Sequence, residues 1–203
     1  MLISKKFNFV FLSMQKCASN SIEAALQPYS DIILSVNPFK HTNYRNYSKY
    51  LKPYLEEMAS MGDAETICLV REPLSWLNSW YRFRSRSALR NPLHKNHRNS
   101  TYNISFEQFI EQYMTPNPLS YANVGSQYEF ARDDAGSIGI DTLFCYENIE
   151  HFLTYMKKIT GVDLELDHIN ISPKPVNTLS PELENLLKQY IPDDFELYEK
   201  AMK

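Results

Sequence analysis

The stretch FVFLSMQKCASNSIEAAL, residues 9–26, runs from an apolar strand into an amphipathic helix, and the short loop between them carries a lysine and hydroxyls but no glycine. The same alternation continues along the chain. FNFVFLS (7–13), ETICLVR (65–71) and IDTLFCYE (140–147) read as strands, with DIILSV (31–36) as a weaker fourth. Helical periodicity follows over 19–27, 47–60, 73–87, 105–114, 148–160, 180–190 and 192–202, and Ser105, Asn148 and the Ser180–Pro181 pair read as helix starts. Strands that are apolar on both faces and alternate with helices predict an α/β fold with a parallel sheet covered on both sides.

With 203 residues, 43% apolar and 13% aromatic, the chain suffices for one substantial core, so a single domain over 1–203 is expected. A formal charge of −3 argues against a globally basic nucleic-acid binder. Cys17, Cys68 and Cys145 show no CxxC spacing, which fits a reducing compartment and gives no structural zinc site. No apolar run approaches the roughly 18 residues of a membrane span, and MLISKKFNFVFLS lacks a cleavage pattern, so a cytoplasmic protein is the simplest expectation.

In open α/β sheets, ligands sit at the carboxyl ends of the strands, where a helix N-terminus offers unpaired N–H groups and partial positive charge to an anion. Lys16, Ser19, Asn20 and Ser21 lie at that junction and make an anion cradle suited to phosphate or sulfate. The plainer alternative is that Ser19 only caps the helix and Lys16 is a solvated charge. Spacing excludes two sharper readings. A Walker A loop needs glycines and places its lysine last, just before the Ser/Thr. A cysteine phosphatase needs an arginine six residues after the cysteine, and that position is Glu23.

The order strand, KCASNS, helix resembles the loop that holds the 5′-phosphosulfate in sulfotransferases that use 3′-phosphoadenosine-5′-phosphosulfate (PAPS), where K-x-G-T-[ST]-[ST] is usual. A second motif of that family, R-x-P-x-x-R-x-x-S-x-Y, is matched by REPLSWLNSWY (71–81) directly after the strand ETICLV, through Arg71, Pro73, Ser79 and Tyr81. IDTLFCYENIEHFLTYMKKITGV is similar to the family's later strand and helix with its Glu-Asn pair. HINISP (168–173) is similar to the loop that follows, and LSPELENLLKQYIPDDFELYEKA to the C-terminal helices of carbohydrate-type members. The departures are Ala18 for glycine, Asn20 for a hydroxyl residue and Trp76 for arginine. Ala18 still permits close backbone approach if its φ is negative.

The resemblance implies a P-loop-like three-layer sandwich, a central mainly parallel sheet with helices on both faces. It also implies sulfuryl transfer from PAPS to a hydroxyl of a carbohydrate or other small acceptor. Lys16, Cys17, Ala18, Ser19, Asn20 and Ser21 would hold the 5′ end of the nucleotide, with Lys16 also at the leaving oxygen, and Arg71 and Ser79 would hold the 3′-phosphate. No metal is required, and the chain shows no ligand cluster demanding one. The acceptor proton needs a base. His41 is the first choice, because it lies just past the carboxyl end of the second predicted strand, on the same edge as both motifs. His94, His97 and His168 are weaker candidates, and His151 reads as a surface residue.

Segment 73–106 holds Arg82, Arg84, Arg86, Arg90, Lys95 and Arg98 without an acidic residue. It reads as a solvated face, as a nucleic-acid patch, or, the favoured reading, as a lid attracting an anionic sugar or acidic peptide. The expected partner is thus a small-molecule or glycan acceptor, with neither nucleic acid nor membrane. A non-catalytic binding protein on the same scaffold and a P-loop-like nucleotide kinase are the alternatives.

Overall fold

The structure, a computed structural model, describes residues 1–166 and 178–203. Along the chain it forms β1 (Leu2–Ser4), β2 (Phe9–Phe11), α1 (Ser19–Leu26), β3 (Ile32–Ile33), α2 (Tyr44–Asn46), α3 (Lys52–Ala59), β4 (Glu65–Val70) and α4 (Pro73–Arg84). There follow α5 (Phe106–Tyr113), α6 (Gln127–Ala131), β5 (Thr142–Cys145), α7 (Ile149–Thr160), α8 (Pro181–Tyr190) and α9 (Pro192–Ala201). HINISP and His168 fall outside the described residues. The described chain divides into two compact units, one made of 1–72, 127–166 and 196–203, the other of 73–126 and 178–195.

The first unit is mixed α/β, built on a five-stranded sheet in the order β3-β1-β2-β4-β5. The sheet is mixed. β2, β4 and β5 run parallel, while β1 pairs antiparallel with both β2 and β3. β1 has no counterpart in the sequence reading. It forms a tight hairpin with β2, which begins at Phe9 rather than Phe7 because Asn8 takes a left-handed φ of 51° in the turn. β4 has neighbours on both sides, and its residues from Thr66 to Val70 are all buried, as a strand apolar on both faces should be. Phe152 of α7 packs on Phe11 and Phe144, at ring distances of 5.8 and 5.6 Å.

Helix punctuation departs from expectation in two places. Tyr47–Leu51 is a π-helical turn leading into α3, where one continuous helix was expected. Asn148 stands before α7 without capping it, and its side-chain Nδ2 sits 3.2 Å from His151 Nδ1 instead. α7 stops where Gly161 turns left-handed, at φ 77°.

In the second unit Ser105 closes a full capping box with Gln108 at the start of α5, and Ser180 caps α8 by accepting from the Leu183 N–H. Phe106 and Phe109 of α5 bracket Tyr81 of α4, with ring centroids 5.3 and 5.7 Å away.

Candidate anion site on the sheet edge

Because β2, β4 and β5 are parallel, the segments leaving their carboxyl ends share one edge of the sheet. The chain leaves β2 through α1 toward β3 on one side and later returns to β4 on the other, so the strand order reverses at β2. The crevice at such a reversal is where open α/β sheets bind ligands.

The loop after β2 is bent in an uncommon way. Lys16 and Ala18 both take left-handed backbone angles, φ 67° and 55°, and Ala18 is the N-cap of α1. The condition of a negative φ, under which Ala18 was expected to allow close backbone approach, is therefore not met. The N-cap position of Ala18 also makes Ser19 the first helical residue and not the cap. A left-handed residue followed by a right-handed one turns successive N–H groups toward a common point, forming an anion-binding nest. The first-turn amides of α1 lack intrahelical acceptors and add to it. The left-handed conformation costs a Cβ-bearing residue about 1–2 kcal/mol, a strain that concentrates at functional loops. Ala18→Gly is therefore expected to stabilise the chain by about 1 kcal/mol, or about 2–4 °C in Tm, after the greater unfolded-state entropy of glycine is discounted. Scanning calorimetry checks this, and an unchanged or lowered Tm would contradict the strain.

Cys17 is buried beneath the loop, with Sγ 3.9 Å from Gln127 Oε1, and desolvation pushes its thiol well above the ordinary value. It offers the loop a backbone N–H and not a nucleophile. Asn20, at the hydroxyl position of the motif, accepts a 2.7 Å hydrogen bond at Oδ1 from Lys40 Nζ. Lys40 Nζ also pairs with Glu23 Oε2 at 2.7 Å, while Glu23 Oε1 accepts from the Ser13 hydroxyl and the Met1 amino group. Burial alone would raise the Glu23 carboxyl, but the hydrogen bonds from Lys40 and Ser13 outweigh it and hold the carboxyl below its usual range.

β3 runs in the same direction as β2, since each is antiparallel to β1 between them. The 3-10 turn Phe39–His41 beyond it brings His41 to the segment leaving β2, with Nδ1 2.6 Å from the Ser13 carbonyl oxygen. A carbonyl only accepts, so Nδ1 carries the proton and Nε2 is the acceptor of the neutral ring. Burial lowers the His41 pKa against the opposing Ser13 bond, and Lys40 adds to the lowering.

Arg71, immediately after β4, joins the loops. Its Nη1 donates to the Lys16 carbonyl at 3.2 Å, its guanidinium lies over the Tyr146 ring at 4.5 Å, and Nε stands 3.9 Å from Glu147 Oε1. Glu147 Oε1 also accepts from the Glu72 N–H at 3.1 Å. Gln127 holds the Arg71 backbone. The sequence reading named neither Gln127 nor Tyr146. Tyr146 lies inside the predicted strand run 140–147, directly after the observed β5, and was open to detection, whereas a lone glutamine heading a five-residue helix carries no pattern.

Ser21 lies in the first turn of α1, while Ser79, His94 and His97 lie in the second unit. Ser79 is buried on α4, and Trp76, at the motif's second arginine, is a packing residue set edge-on to Trp80 at 6.1 Å. The Tyr81 hydroxyl donates to the Ile104 carbonyl. In the basic segment Arg84 is structural. It is buried, donates to the Ser120 and Asn123 carbonyls, and is pushed down to about 10 by desolvation. Arg86 and Arg90 are exposed and stacked on Phe83 and Tyr102. His97 is hydrogen-bonded to the Leu89 carbonyl and His94 to the Asn96 N–H. Compared with protein-family models, with curated proteins and with solved structures, the chain matches none of them significantly.

Proposed function

We propose that the chain is a PAPS-dependent sulfotransferase that moves a sulfuryl group to a hydroxyl of a carbohydrate or other small acceptor. The observation that carries this is the joining of the two anion motifs. The left-handed loop of Lys16 and Ala18 leads into α1, and the Arg71 guanidinium donates to the Lys16 carbonyl, at the carboxyl edge of the parallel strands. The reading takes the parallel β2–β4–β5 set as the centre of a P-loop-like three-layer sandwich, with β1 and β3 as an antiparallel extension.

The residues divide the work of transfer. The acceptor oxygen attacks sulfur as the bond from sulfur to the bridging 5′-phosphate oxygen breaks, and the electron pair leaves with 3′-phosphoadenosine-5′-phosphate (PAP). Lys16 and the amides of the nest stabilise the charge on the leaving phosphate, Arg71 serves the 3′-phosphate, and His41 Nε2 takes the acceptor proton. Positioning and charge stabilisation carry such a reaction, as they do phosphoryl transfer.

Thermal unfolding with PAP, ATP or ADP tests the reading, because a ligand specific for the native state raises Tm by mass action. PAP should raise Tm well above the effect of ATP or ADP at equal concentration. An equal or larger shift with ATP would favour a nucleotide kinase. A PAP shift without transfer from labelled PAPS to any of a panel of glycans, phenols and peptides would favour a non-catalytic binder.

A further inference from the structure

β4 ends at Val70, whose ladder partner on β5 is Cys145. One residue further, the Arg71 backbone is completed by a side chain. Its N–H donates to Gln127 Oε1 at 2.8 Å, and its carbonyl accepts from Gln127 Nε2 at 2.7 Å. A carboxamide has the acceptor and donor of a peptide unit, so it can stand in for a neighbouring strand. Gln127 is only 1% exposed, so water does not compete for these bonds. A residue fixed at both N–H and C=O has its backbone angles set, and with them the direction of its side chain.

Resting on the reading proposed above, we infer that Gln127 is a positioning residue for anion recognition. Its carboxamide holds the Arg71 backbone so that the guanidinium stays between the Lys16 carbonyl and the Tyr146 ring, aimed at the 3′-phosphate of the nucleotide. Gln127 touches no reacting atom and acts through Arg71.

The test is a double-mutant cycle on PAP affinity by calorimetry, using Gln127→Met, Arg71→Ala and the double variant, together with the Arg71 Nε–H resonance of the ligand-free protein. Methionine keeps the volume and removes both hydrogen bonds. Gln127→Met should weaken PAP binding about tenfold, since a misaligned charge-assisted contact loses much of its strength, and should add almost nothing in the Arg71→Ala background. Binding of adenosine 5′-phosphosulfate, which lacks the 3′-phosphate, should stay within about twofold of wild type, because Arg71 serves the missing group. The Arg71 Nε–H resonance should shift or broaden without ligand. Losses that add in the double variant, or that are equal for the two nucleotides, would make Gln127 merely structural and overturn the inference. If wild type binds no PAP, the functional reading fails, and the resonance alone decides: an unmoved Arg71 signal in Gln127→Met also overturns the positioning role. Should the methionine variant fail to fold, Gln127→Glu serves, since a carboxylate can accept from the Arg71 N–H but faces its carbonyl with a second acceptor.

Discussion

His41→Ala is expected to lower kcat by about 10²–10⁴-fold while leaving PAP affinity nearly unchanged, because a general base acts in the transition state and not on the nucleotide. The tautomer makes the effect specific. With Nδ1–H committed to the Ser13 carbonyl, the neutral ring presents Nε2 as its proton acceptor. Burial lowers the pKa of the ring, so the wild-type acid limb in kcat should lie below the ordinary histidine value of 6.5 and should vanish in the residual activity of the variant. The same shift bears on stability. The folded ring binds a proton less readily than the unfolded chain, so the contribution of His41 is intact above 6.5 and declines as pH falls toward the lowered folded value. Full turnover in His41→Ala would move the base elsewhere. Glu23 is a poor substitute, since its carboxylate already takes hydrogen bonds from Lys40, Ser13 and the Met1 amino group.

Lys16→Ala and Arg71→Ala should each weaken PAP binding by about 2 kcal/mol or more, roughly thirtyfold, the scale of a lost charge-assisted phosphate contact. Arg71→Ala should be the worse of the two, because it also removes the hydrogen bond to the Lys16 carbonyl that ties the loops together. Arg71→Lys should not rescue it, since an ammonium cannot lie flat on Tyr146 while forking to two acceptors. Calorimetry on the variants decides the matter: unchanged affinity in both alanine variants, with the fold intact, would remove the nucleotide assignment.

What was legible in the sequence was whatever repeats with a period or sits at a fixed offset. β2, β4 and β5 stood out as apolar runs, α5 and α8 by their serine caps, and the two anion motifs by their places after strands. β1 was missed because three residues followed by two lysines are too few to show alternation, and its antiparallel pairing is what makes the sheet mixed. The left-handed angle at Ala18 was not legible because alanine rarely goes left-handed, and only the closed loop shows it. The hold of Gln127 on Arg71 depends on a tertiary contact for which a single sequence offers no signal.

The joints of the site span long stretches of chain: Arg71 to Lys16 is 55 residues, Arg71 to Gln127 is 56, and Glu72 to Glu147 is 75. Each must be closed against the entropy of a long loop, and non-local contacts of this kind slow folding. The loop at residues 16–21 is made first during synthesis, yet its arginine partner is held in place only after the chain has grown past Gln127 and Tyr146. In refolding, the capacity to hold an anion should therefore return with the slow, global phase, and not with the early helix formation that α1 could complete alone.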